Sequence, residues 1–234
     1  MDTSPETIIT KTCEVYDHIA SQFSNTRSFV WADLRPLAAF VRSGDCVLDI
    51  GCGNGRLLQL FKEKEIFYMG IDQSAELLDI ARKKFPDTEF VHGDMRQLPF
   101  SDSTVNIIFS IAAFHHLPDE TMRLQALDEM KRVVKSGGRI VMTNWNLLGD
   151  WAVRKLGNKE IRKLRGDVGD FMVPWKNSKG VVLGERYYHA FTQIELEALF
   201  KKVGLMLEEQ YYVKKGERSD AQHGENIISI SKSP

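Results

Sequence analysis

The sequence predicts an α/β fold: a mostly parallel sheet with helices on both faces. Short apolar runs alternate with longer helical patterns, the runs are nearly continuous as doubly buried strands require, and a glycine-rich turn joins the first run to a helix. The expected strands cover 46–50, 67–71, 89–92, 105–110 and 139–143, and the helices fall at about 56–64, 74–85 and 119–134. Ser74 is placed to cap the second of these helices. Gly137-Gly138 supplies the backbone freedom that ends the third.

After residue 143 the alternation stops. Residues 144–190 show no strand period but contain Trp145, Trp151, Trp175, Tyr187 and Tyr188, so an ordered and functional insertion is expected. A helix at 193–203 and an antiparallel pair at 207–213 and 226–231 close the chain. The organisation expected is one domain over 1–234, with an N-terminal helical extension (1–43) and a substrate-side insertion (144–191).

Of 234 residues, 43% are hydrophobic and 27% charged, with a net charge of −1, as in an ordinary soluble domain. No apolar run approaches the ~20 residues of a membrane span, and no apolar leader opens the chain. Three cysteines without metal-ligand spacing predict neither a disulfide framework nor a metal site, and a cytoplasmic protein. Neither a membrane nor DNA is an expected partner. Charge is uneven, however. Arg154, Lys155, Lys159, Arg162, Lys163 and Arg165 face only Glu160 in their stretch, which suits either a solvated helix face or contact with phosphates.

The chemistry concentrates at the predicted strand ends. Asp49-Ile50-Gly51-Cys52-Gly53-Asn54-Gly55 runs a buried strand into a turn whose glycines let backbone N–H groups approach a ligand. Its GxGxG spacing differs from that of pyrophosphate binders. The carboxylate of Asp49 would repel a pyrophosphate but accept hydrogen bonds from an α-ammonium, which suits the amino-acid end of S-adenosylmethionine. Asp72, followed by Gln73, ends the second strand where an acid can take both ribose hydroxyls. After the third strand Asp94 can accept from an adenine amino group, and Met95 can pack on the ring. Each acid alone could be an idle loop carboxylate; three in register at one sheet edge are not easily coincidental.

These motifs (LDIGCGNG, GIDQS, GDM, and Leu98-Pro99-Phe100 before the fourth strand) resemble the class I S-adenosylmethionine-dependent methyltransferases. The resemblance implies a Rossmann-like sheet of seven strands in the order 3-2-1-4-5-7-6, strand seven antiparallel. It also implies a cofactor site built from Tyr16, Asp49, Gly51, Cys52, Gly53, Gly55, Asp72, Gln73, Asp94, Met95, Ser110 and Ile111. The flanks are more specific. The opening from Val15 to Arg27 with Trp31, the run from Ser110 to His116, Val173-Pro174-Trp175, and the run from Arg186 to Phe191 resemble the family that methylates 5-carboxymethyluridine at the tRNA wobble position. Residues 226–229, Asn-Ile-Ile-Ser, depart from that family's usual Asn-Trp-Tyr type of strand. The resemblance implies a tRNA anticodon stem-loop as acceptor and a small activator subunit as a possible partner.

Methylating a carboxylate requires positioning rather than a strong base, because the nucleophile is already ionised at neutral pH. A guanidinium clamp is the natural holder, and Arg27 and Arg186 are the candidates, each alternatively a structural ion pair. His115, His116 and Tyr187 complete the expected catalytic set, while Trp145, Trp175, Tyr187 and Tyr188 could stack on a base. The alternatives are a small-molecule O- or N-methyltransferase and a catalytically silent cofactor-binding partner subunit.

Overall fold

The computed structural model describes residues 4–156 and 169–234. Strands β1 (Cys46–Ile50), β2 (Phe67–Asp72), β3 (Glu89–His92), β4 (Val105–Ile111) and β5 (Val134–Trp145) are parallel. They continue into β10 (Asn226–Lys232), β8 (Met206–Lys214) and the short β9 (Glu217–Ser219), giving the order β3-β2-β1-β4-β5-β10-β8-β9. β10 runs antiparallel to both its neighbours, and β8 to β9. This is the expected order, with β8 and β10 as the sixth and seventh strands and β9 as an addition beyond them.

Successive strand residues feed opposite layers, as the two-residue period dictates. Leu48, Ile108 and Ile140 pack with α3 (Glu120–Val133) and α4 (Gln193–Lys202). Val47, Ile107 and Val141 pack with Leu34, Leu37 and Phe61, and with Leu78 of α2 (Ala75–Lys84). Ser74 does cap α2, its side chain accepting from the Leu77 N–H at 3.2 Å. α1 (Pro5–Thr26) opens on a Ser4 cap with Pro5 in its first turn, where no N–H partner is needed. It packs against α2 and the hairpin strand β7 (Val182–His189).

Three expectations are corrected. Residues 56–64 form a 3-10 turn, Arg56–Phe61, entered through left-handed Gly55, rather than a longer helix. α3 ends at Val133, before Gly137-Gly138, and those glycines lie inside β5. A Cβ on Gly138 would stand 2.7 Å from the Asn106 carbonyl oxygen, so the glycines let β5 close on β4 where the register shifts. Among its described residues the insertion is not irregular: β6 (Asp170–Lys176) and β7 form an antiparallel hairpin. Phe171, Val173 and Tyr188 build a small separate core there with Trp145, Leu147 and Trp151. Of the basic stretch, Lys159, Arg162, Lys163 and Arg165 lie outside the described residues.

Candidate active site

A cavity opens at the carboxyl ends of β1, β2 and β4, closed from above by α1 and on one side by β7. Gly51, Gly53 and Gly55 all have positive φ. A Cβ on Gly51 would lie 2.3 Å from the Ala113 Cβ, so only glycine lets the turn after β1 lie against the turn after β4. The Gly53 N–H donates to Asp72 Oδ2 and the Ser74 N–H to Oδ1, both at 2.8 Å. Each carboxylate oxygen keeps a second lone pair for a hydroxyl donor. Burial raises the Asp72 pKa, and these N–H donors counteract it.

Asp49 is buried. Its Oδ2 accepts from the Tyr68 hydroxyl at 2.6 Å, while Oδ1 has no partner. Burial pushes this carboxyl up to about 7, against the Tyr68 hydrogen bond. Across the same cavity Arg56 lies 4.0 Å over the Trp31 ring with a buried, unpartnered Nη1. Burial and then the Arg27 charge lower its pKa to about 10, so it remains a cation at neutral pH. One orphaned acceptor on an acid and one orphaned donor on a guanidinium complement the ammonium and carboxylate of an α-amino acid. Sequence reasoning missed Arg56, which reads as an ordinary first residue of a helix; its place directly after the glycine turn was the available signal.

Of the residues expected at the cofactor, Tyr16, Asp49, Gly51, Cys52 and Gly53 line this cavity, as do Asp72, Gln73, Met95 and Ile111. Three do not. Gly55 instead backs onto Phe85 and Phe90, and Ser110 is wholly buried in β4. Asp94 is turned to Arg96, whose Nη2 donates to it at 2.6 Å while Nη1 reaches Glu6 at 2.7 Å. Both Asp94 oxygens are thus already engaged within its own loop.

The expected catalytic residues separate in the same way. Arg27 and His116 line the cavity; His115, Arg186 and Tyr187 do not. His116 Nδ1 lies 2.6 Å from the Tyr187 carbonyl oxygen, which can only accept, so Nδ1 carries the proton. Nε2 is then an acceptor, and the Tyr16 hydroxyl donates to it at 2.9 Å. Burial lowers the His116 pKa to about 3, so the ring is neutral. His115 lies beneath, tilted against Tyr188 and Trp145, and accepts from the Trp145 N–H at 3.3 Å. Tyr187 contributes its carbonyl but not its hydroxyl, which donates to Asp170 and lies 3.3 Å from the Pro118 carbonyl oxygen.

Arg186 is only 3% exposed. Its Nη1 donates to the Tyr16 hydroxyl at 3.3 Å, and its guanidinium sits 5.1–5.3 Å from the Tyr16, Trp175 and Tyr188 rings. Its Nε has no partner, and among the described residues no carboxylate pairs with it or with Arg27. The site therefore holds buried positive charge that no acid among the described residues neutralises.

A parallel sheet with an antiparallel closing strand, a glycine turn after β1, and acids on β1 and β2 define a class I S-adenosylmethionine-dependent methyltransferase. A family described as a methyltransferase domain matches residues 47–138. A protein of Encephalitozoon cuniculi named only as a methyltransferase is 32% identical over 177 residues, covering 75% of this chain and 78% of its own. The chain belongs to this methyltransferase family. It is also similar to a Schizosaccharomyces pombe protein named tRNA (carboxymethyluridine(34)-5-O)-methyltransferase, at 29% identity over 85% of this chain and 90% of that one. Other curated relatives with this name are longer, and the chain spans 39%, 31% and 23% of three of them. Among solved structures, the complex between the Haloferax volcanii Trm112 methyltransferase activator and a methyltransferase matches with a TM-score of 0.70. That match has 20% identity and covers 95% of this chain and 97% of the other, a likeness of fold. No helix among the described residues is long and apolar enough to cross a membrane.

Proposed function

We propose that this chain converts 5-carboxymethyluridine at the tRNA wobble position into its methyl ester. The observation that carries the reading is Arg186, buried, unpaired with any acid among the described residues, and adjacent to the cofactor cavity. A buried guanidinium without a counter-ion is costly unless a ligand supplies one, and a carboxylate matches its planar fork. The relatives' names supply the acceptor: that of the S. pombe protein specifies carboxymethyluridine 34.

When bound, S-adenosylmethionine supplies an electrophilic methyl group, which an acceptor carboxylate oxygen takes by in-line displacement at carbon as the carbon–sulfur bond breaks. Asp49 and Arg56 would hold the amino-acid end, and Asp72 the ribose. Arg186 and Arg27 would hold the acceptor carboxylate, with Tyr16 fixed between Arg186 and His116. Neutral His116 orients the Tyr16 hydroxyl without removing a proton, and none needs removing from an ionised acid. Tyr188 and Trp145, stacked 4.9 Å apart, wall off the acceptor side from water. A small activator subunit, as in the Haloferax complex, is the partner we propose.

The test is an anticodon stem-loop carrying 5-carboxymethyluridine, compared with the same RNA carrying uridine or the neutral carboxamide. Labelling of the first alone, with methanol released in mild base, is expected. Base-stable labelling would exclude an ester. Turnover only on free metabolites would transfer the assignment to a small-molecule enzyme.

A further inference from the structure

A second cavity lies beside the first and shares Arg27, Trp31 and Trp145 with it. Its remaining walls are Phe29, Ala32, Trp151, the Asp33–Asn226 pair and Glu225, with exposed Lys215 at the rim beside the shared cation Arg27. Three of the chain's four tryptophans meet here, and Phe29 is 64% exposed. Trp145 and Trp151 stand edge to face, 5.4 Å apart at 77°, so two flat surfaces meet at nearly a right angle.

The floor is polar and incomplete. The Asn226 Nδ2 group donates to Asp33 Oδ2 at 2.8 Å, and Asp33 Oδ1 accepts from the Gly216 N–H at 2.6 Å. These bonds fix the amide so that Asn226 Oδ1 is the free end. That oxygen is buried and has no donor. Two strands meet at this point: Asn226 pairs with Trp145 across β5 and β10, so the orphaned acceptor and the indole are held in register by the sheet. Exposed Lys215 has positive φ and sits at the mouth.

Aromatic faces, a lone buried acceptor that wants an N–H donor, and a cation at the rim together describe a nucleotide: a planar base with an exocyclic amino group, next to a phosphate. We propose that this cavity is a second base subsite, which takes a nucleotide adjacent to the one being methylated and presents its amino group to Asn226 Oδ1. The occupant's source, a neighbouring residue of the acceptor RNA, rests on the function proposed above; the subsite's affinity for a nucleotide does not. Trp145 is the shared partition, with Tyr188 stacked on it toward the acceptor side.

The experiment reads the indole N–H resonances of the four tryptophans in 15N-labelled protein saturated with S-adenosylhomocysteine, so that the first cavity is filled. Adenosine 5′-monophosphate should shift Trp145 and Trp151 saturably and leave Trp175, outside both cavities, in place. Purine riboside 5′-monophosphate, lacking the amino group, should bind several-fold more weakly. Trp151→Ala should weaken the nucleotide by about tenfold or more, the scale of one lost base stack. Phe29→Ala, at an exposed position, should weaken it by a smaller factor without risk to the fold. Unshifted Trp145 and Trp151, or equal affinity in both variants and wild type, overturns the subsite. The second arm methylates a trinucleotide with central 5-carboxymethyluridine and flanking adenosines, against the same RNA with abasic flanks. A fall in kcat/KM for the abasic RNA is expected, and equal kcat/KM overturns the neighbouring-nucleotide assignment. Resonance shifts without methylation of either trinucleotide or of the 5-carboxymethyluridine stem-loop would support the subsite while sinking the wobble-uridine reading.

Discussion

The Tyr16 hydroxyl donates to His116 Nε2 at 2.9 Å, joining residues one hundred positions apart, and the Arg186 Nη1 donates to the same hydroxyl. Tyr16→Phe keeps the ring but leaves an acceptor and a donor unpaired in a buried place. A loss of about 1–3 kcal/mol is expected, or roughly 5–150-fold in kcat/KM for the acceptor. Cofactor affinity, measured by calorimetry, should change by less than about threefold. Equal losses in both quantities would place Tyr16 in the cofactor wall alone.

Cofactor binding should depend on pH through Asp49. Its carboxyl titrates at about 7 in the free protein, raised by burial, and an incoming ammonium requires the ionised form. Affinity should therefore be full above pH 7 and fall by about tenfold per unit as pH drops below it. Asp49→Asn should bind more weakly throughout and show no slope between pH 5.5 and 8. A wild-type titration that is flat over this range would contradict the assignment.

Arg186→Lys keeps the charge and loses the planar fork. Acceptor kcat/KM should fall by about tenfold or more, with cofactor affinity nearly unchanged. Retention of full activity by the lysine variant would mean that only charge, not bidentate geometry, matters there.

His189 is flanked by Asp170 on Nδ1 and Glu195 on Nε2, each at 2.8 Å. Burial opposes its charge, but hydrogen bonds to both carboxylates outweigh burial and raise its pKa. Arg123, beside Glu195, and the Phe191 ring complete its surroundings. A histidine with a raised folded value stabilises fully below its unfolded pKa, and that stability is lost as pH rises through the folded one. Thermal unfolding should show a Tm that falls from pH 6 toward pH 9, and His189→Gln should remove that slope. An unchanged slope in the variant would assign it to other groups.

Gly51→Ala places a Cβ where φ is +72° and Ala113 is 2.3 Å away. Beyond the ~1–2 kcal/mol of left-handed backbone, the turn after β4 must shift, so the variant should unfold at lower temperature and bind the cofactor poorly. A wild-type melting curve would show that the turn yields without cost.

Features fixed by local chemistry were legible from sequence. Ser74 caps its helix, the glycines of the first turn take positive φ, and Asp49 and Asp72 face the cavity, because strand ends and caps depend on a few adjacent residues. Contacts closed over long separations were not legible. The β6–β7 hairpin buries one end of β7 against a helix some 170 positions earlier, where the Tyr187 N–H donates to Thr12 Oγ1, so its strands lack a clean two-residue period. Pro174 within β6 further masks it. Asp94 misled because its competitor, Arg96, stands two residues away but is held in place by Glu6 from α1. Arg56 and Asn226 became informative only through what they lack, since an orphaned polar atom has no signature in a linear chain.

α1 fastens two regions at once. Toward the cofactor side its Asp17 accepts from the Ser74 hydroxyl at 2.6 Å, and the Cys13 thiol donates to the Gln73 carbonyl at 3.2 Å. Toward the acceptor side Thr12 receives the Tyr187 N–H, and Tyr16 engages His116. All four are side-chain ties, and no backbone ladder joins the helix to the sheet. A sub-global opening that lifts this one helix thus dismantles both halves of the site together while the sheet stays intact. Such an opening would release both sets of ties at once, so a substitution that weakens the helix's attachment, such as Asp17→Ala, is expected to weaken binding on both sides without touching either ligand.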